Sequence, residues 1–126
     1  MVVTVALNPR FNKLNSNSLR NKVDFQTRER RALVDVTIPA TEEYVTGGYP
    51  IDLSVIRNFK QVYTGRVLSQ PISNNMNNVN YIFVPGTNGA ASGAKLGAIL
   101  INTGSEQTNS HENGVEFKLI MEIVGI

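Results

Sequence analysis

The chain has no cysteine and only one histidine in 126 residues. Disulfide staples, thiolate nucleophiles and cysteine-ligated zinc are therefore excluded. Charge is also scarce: Asp, Glu, Lys and Arg make up 17% of the chain, against about 25% in a typical soluble domain. No apolar run approaches the roughly 18 residues that a membrane-spanning helix needs. Residues 1–7 (MVVTVAL) are short and uncharged, with no basic segment before them. They do not read as a signal peptide, so the expected mature protein is the whole chain, made in a cytoplasm without membrane attachment. Neither an internal repeat nor a domain linker is visible. The length fits one domain with one modest core.

What fills the gap is neutral and polar. There are 15 asparagines. An amide-rich, charge-poor surface suits a protein that sits in a large assembly, because a buried charge is costly unless paired. An AT-rich genome would produce the same bias. The charge that remains is uneven. Residues 1–31 carry seven basic residues, Arg10, Lys13, Arg20, Lys22, Arg28, Arg30 and Arg31, against Asp24 and Glu29, a net +5. The rest of the chain is net −3, with five basic and eight acidic residues. One end is thus suited to an acidic partner, or to the acidic body of another copy.

Val2 to Leu7 reads as a short strand or extended arm, broken at Asn8-Pro9. Residues 8–21 are Asn- and Ser-rich, with Phe11, Leu14 and Leu19 at no clean period. They are expected to form an arm that orders on a neighbour; a plain surface loop would look the same. The expected organisation is an arm over residues 1–21 and a single β domain over 22–126. Lys22 to Arg28 alternates weakly. Leu33 to Ile38 alternates well, with Val34, Val36 and Ile38 on one face. Gly47-Gly48 marks a tight turn that needs the backbone freedom of glycine. Tyr49 to Leu53 is expected to be a short strand, with Asp52 or Ser54 capping one helical turn over 54–58. Lys60 to Ser69, Asn80 to Val84 and Lys95 to Ile101 read as strands. The Asn-dense segment 70–79, the Gly-rich segment 86–93 and the polar segment 102–114 read as loops. Val115 to Val124 alternates most clearly, placing Val115, Phe117, Leu119, Met121 and Ile123 on one face. Seven to eight strands with turn chemistry between them predict an all-β fold, an antiparallel β-sandwich or jelly-roll-like barrel.

Catalytic equipment is hard to find. His111 lies in the most polar loop, near Glu106 and Glu112, and reads as a solvated loop histidine. One histidine and loop carboxylates make a poor metal site. No nucleophile elbow is present for a Ser-His-Asp arrangement. Glu42 and Glu43 are adjacent, so in a strand they point to opposite faces. Residues 86–97 (GTNGAASGAKLG) hold several glycines and Lys95, but Leu96 follows the lysine where a phosphate cradle needs Ser or Thr. No enzyme activity, cofactor or metal is expected. Nucleic acid is the more serious rival. A basic arm with Phe11 and Phe25 interleaved is the composition of a single-strand groove. Its aromatics are few, and a basic strand edge that resists edge pairing has the same residues.

The stretch Tyr44-Val45-Thr46-Gly47-Gly48-Tyr49-Pro50-Ile51-Asp52-Leu53-Ser54 resembles a motif of small virion proteins of tailed bacteriophages. Later pieces follow in the same order: Val62-Tyr63, Tyr81-Ile82-Phe83, and an apolar close from Met121 to Ile126. The resemblance covers residues 44–126 and leaves out the arm. It implies a head decoration (cement) protein, a compact β body on the capsid exterior that clamps neighbouring major capsid subunits, often as a homotrimer. A minor tail or head-fibre protein is the structural alternative, and a nucleic-acid-binding β-barrel the alternative of another class. On this reading Arg10, Phe11, Lys13, Leu14, Arg20, Lys22, Arg28, Arg30 and Arg31 meet an acidic capsid surface, while Gly47 and Gly48 form a structural turn.

Overall fold

In the computed structural model, strand β1 spans Thr4–Leu7, β2 Arg30–Ile38, β3 Tyr49–Pro50 and β4 Val62–Ser69. Strand β5 spans Val79–Val84, β6 Lys95–Leu100 and β7 Phe117–Gly125. The structure describes residues 3–8, 30–56, 59–70 and 79–126. Among these there is no α-helix, and so no helix long and apolar enough to cross a membrane. The strands form two antiparallel sheets, one ordered β1-β2-β7-β4 and the other β3-β6-β5. The fold is all-β and sandwich-like.

Alternation explains how the sheets face each other. Val34, Val36 and Ile38 of β2 are fully buried, and so are Leu119, Met121 and Ile123 of β7. The two strands pair without interruption from Arg30↔Gly125 to Ile38↔Phe117. That register puts both apolar rows on one face; a slip of one residue would turn either row to solvent. From the second sheet, Val79, Tyr81, Leu96 and Ala98 enter the same core. Burial of each large aliphatic side chain contributes about 1.5–3 kcal/mol. Strand β4 turns Val62, Gly65 and Val67 inward, and a Cβ at Gly65 would lie 3.0 Å from the Phe83 ring. The gap left by one small residue is thus filled by a large one from the other sheet.

Several boundaries differ from the sequence reading, each for a local reason. Val115 does not join the buried row; it is exposed, because a bend at Gly114, at φ +78°, breaks the alternation before β7 begins at Phe117. The strand expected over 49–53 stops at Pro50. The Asp52 side chain accepts from Ser54 N and caps a 3-10 turn over Leu53–Val55, one residue earlier than the expected turn began. Ile101 falls outside β6, where Gly104 N donates to Leu100 O and closes a turn.

Candidate protein-contact surfaces

The segment 44–54 is where the most unusual backbone sits. Gly47 and Gly48 lie at φ +102° and +129°, a region that side chains other than hydrogen rarely enter. The turn folds the chain against the edge of β6. Tyr44 and Tyr49 are fully buried, and their rings meet edge to face at 5.1 Å. The Tyr44 hydroxyl donates to Glu106 Oε2 at 2.6 Å and accepts from Ala98 N at 3.3 Å. Gly47 N donates to the same carboxylate oxygen. Asn113 Nδ2 donates to the Tyr49 hydroxyl at 3.0 Å, and Thr46 N donates to Asn109 Oδ1 at 3.1 Å. The polar loop 102–114 is therefore held by amides and a carboxylate. Burial, then the hydrogen bond to Glu106, pushes the Tyr44 hydroxyl up to about 12. Donation by Tyr44 and Gly47 N holds the Glu106 carboxyl below the usual carboxylate range. Ile51 and Leu53 are also fully buried. Most of the motif that carries the phage resemblance is thus absorbed by folding, and Val45 is its exposed large apolar residue.

The outward faces of the two sheets are unlike each other. On the four-stranded sheet the outward positions include Arg31, Asp35, Thr37, Arg66, Lys118 and Glu122, with Leu33, Ile120 and Val124 among them. On the three-stranded sheet they are Asn80, Ile82 and Val84 of β5 and Lys95, Gly97 and Ile99 of β6. Ile82 lies directly across from Gly97 and is 46% exposed. Val84 reaches over the same glycine, and just past the strand end Ile101 is 52% exposed. The solvent side of an antiparallel sheet is ordinarily polar; this one is mainly aliphatic. An exposed apolar face of this kind is a candidate contact surface. Its signal is present in the sequence as the unbroken apolar runs Tyr81-Ile82-Phe83-Val84 and Gly97-Ala98-Ile99-Leu100-Ile101. Continuous runs mean both faces are apolar, a cue that a search for alternation passes over.

A third surface lies on the four-stranded sheet. Arg31, Thr64, Gly65, Arg66, Glu122 and Val124 line a shallow groove of about 280 Å³. Arg66 Nε donates to Glu122 Oε1 at 3.2 Å, and Arg31 Nη1 lies 4.0 Å from the same oxygen. Of the sequence-expected partner residues, Arg30 and Arg31 open β2, and Arg31 contributes to this groove. Arg10, Phe11, Lys13, Leu14, Arg20, Lys22 and Arg28 lie outside the described residues, as does the arm boundary at residue 21. The other chemistry candidates are scattered. The His111 backbone accepts from Tyr44 N and donates to Thr108 O. Residues 86–97 form two short 3-10 turns, Thr87–Gly89 and Ala91–Gly93, and lead into β6 with no α-helix at their end. Among the described residues no three His, Asp or Glu side chains converge as metal ligands.

These features define a sandwich-like β domain with a candidate contact surface on each sheet. Compared with family models, curated proteins and solved structures, the chain matches none.

Proposed function

We propose that the chain is a non-enzymatic capsid decoration (cement) protein of a tailed bacteriophage. It binds the outer surface of the major capsid lattice as an oligomer, a trimer on the strength of the resemblance, and stabilises the head. The observation that supports a contact role is the aliphatic outward face of the three-stranded sheet, built from Ile82, Val84 and Ile99 with Ile101 beside it. Covering that face removes apolar surface from water and brings only Lys95 as a charged group on its strands. The phage assignment comes from the resemblance over residues 44–126. A cement subunit binds the assembled lattice and not free subunits, so it stabilises the shell by mass action. Modest contacts repeated around a symmetry axis suffice for retention through avidity.

The test is co-sedimentation of the full chain with expanded shells of the major capsid protein from the same genome. Saturable binding that survives moderate salt is expected. Absence of binding would overturn the proposal. So would micromolar binding to DNA that falls steeply with salt, the behaviour of a phosphate-contacting protein.

A further inference from the structure

The body is electrically polar along its strands. Arg30 and Arg31 open β2, and Arg31 shares the outward face with Arg66, which pairs across from Glu122. At the far end, β2 finishes at Ile38 and the chain turns into Glu42 and Glu43, while Glu112 and Glu116 precede β7. Lys95 and Lys118 are the basic side chains near that end among the described residues, and Lys118 leans toward Asp35 at 4.0 Å. The span from Arg31 to Ile38 is about 23 Å at the rise of a strand. That distance is nearly three Debye lengths at physiological salt, so the described charges at the two ends are screened from each other within one copy.

The acidic end carries a local conflict. Glu43 and Glu112 are directly opposite in an antiparallel bridge. Like charges in that register repel and destabilise the pair. Among the described residues, neither carboxylate has a Lys or Arg within ion-pair distance. The bridge sets two exposed carboxylates side by side, an acidic face for a cation. The opposite end offers one: Arg66 is 71% exposed and uses Nε on Glu122, which leaves its planar Nη edge for a second carboxylate.

We propose that copies of this chain associate head to tail, with the Arg31–Arg66 groove of one seated on the Glu43–Glu112 bridge of the next. The contact is heterologous: each copy uses two different surfaces, and such contacts build rings when the rotation closes. Val45, two residues beyond Glu43, is exposed, and Val124 lines the groove, so each surface also offers an apolar group. This contact goes beyond the proposed function and does not need the shell, so its failure leaves shell binding to be judged separately.

The experiment is sedimentation velocity of the full chain over a concentration range, at low and high salt. Four proteins are compared: wild type, Arg66→Glu, Glu43→Arg and the double variant, with circular dichroism to confirm folding. Wild type is expected to self-associate, more weakly at high salt. Each single reversal is expected to weaken association by about tenfold or more, as for close interfacial charge pairs. The double variant restores it, and an equimolar mixture of the two single variants restores pairing between unlike copies, since both recreate opposite charges across the contact. The milder Arg66→Ala weakens it without setting a carboxylate beside Glu122. A monomeric wild type, unaffected single variants, or a double variant no better than either single one would each overturn the proposal.

Discussion

Replacing Gly48 with alanine tests the turn that anchors the small sheet. Two effects add at this position. The backbone lies at φ +129°, where an L side chain is strained by about 1–3 kcal/mol. The added Cβ would also sit 2.9 Å from Leu96 O and 3.0 Å from Leu96 C and Lys95 Cβ. Two of these atoms are backbone of β6, held by pairing with β5, so they cannot swing away as a side-chain tip could. Relief requires the pairing of Tyr49 with Leu96 to open by several tenths of an ångström. Together these effects predict a loss of about 3 kcal/mol, or a fall in Tm of roughly 12 °C for a domain of this size. Gly104→Ala is the control. Gly104 has φ +71°, and nothing lies within 4 Å of its would-be Cβ, so it feels backbone strain alone, about 1 kcal/mol. Thermal unfolding followed by circular dichroism reads both. Equal Tm shifts in the two variants would refute the steric reasoning, and an unchanged Tm in Gly48→Ala would refute the turn itself.

Three further predictions follow from the same contacts. Tyr44→Phe removes the acceptor for the buried Ala98 N–H and should cost about 1–3 kcal/mol in urea unfolding. Glu106, whose folded carboxyl is held low by donors from Tyr44 and Gly47, contributes stability that is present above the ordinary carboxylate pKa. It is lost as pH falls through the lowered folded value; the hydrogen-exchange protection of loop 102–114, taken relative to the intrinsic rate at each pH, should therefore fall on acidification, and Glu106→Gln should flatten that dependence. Ile82→Ser alters an outward position on the apolar face. It should leave stability within about 1 kcal/mol and weaken co-sedimentation with shells, and unchanged shell binding would remove this face from the contact.

Much of the fold was legible because alternation is a direct trace of a half-buried strand. Residues 33–38 and 117–123 show this best: their apolar rows pack inward from neighbouring strands. The turn at Gly47-Gly48 was equally readable, since paired glycines have few other uses. Loop 102–114 was not. Its anchors are Glu106, Asn109 and Asn113, and a polar side chain that bonds a distant tyrosine leaves no period in the sequence. The apolar outward face escaped for the opposite reason. Asn80 to Val84 reads as a strand without showing which side is buried, and the pairing of Ile82 with Gly97 shows which residues turn outward. The Glu43–Glu112 bridge joins residues 69 positions apart, a meeting that no local pattern records. The sequence shows Glu42 and Glu43 only as neighbours that point to opposite faces, and it is the fold that sets Glu112 opposite Glu43.

Shell stability is the measurement closest to the central claim. Expanded shells of the major capsid protein from the same genome would be heated with and without saturating amounts of the full chain, and disruption followed by light scattering. Binding restricted to the assembled lattice predicts that the disruption temperature climbs with added chain and levels off at a fixed copy number per shell. A disruption temperature unmoved by saturating chain would contradict the account.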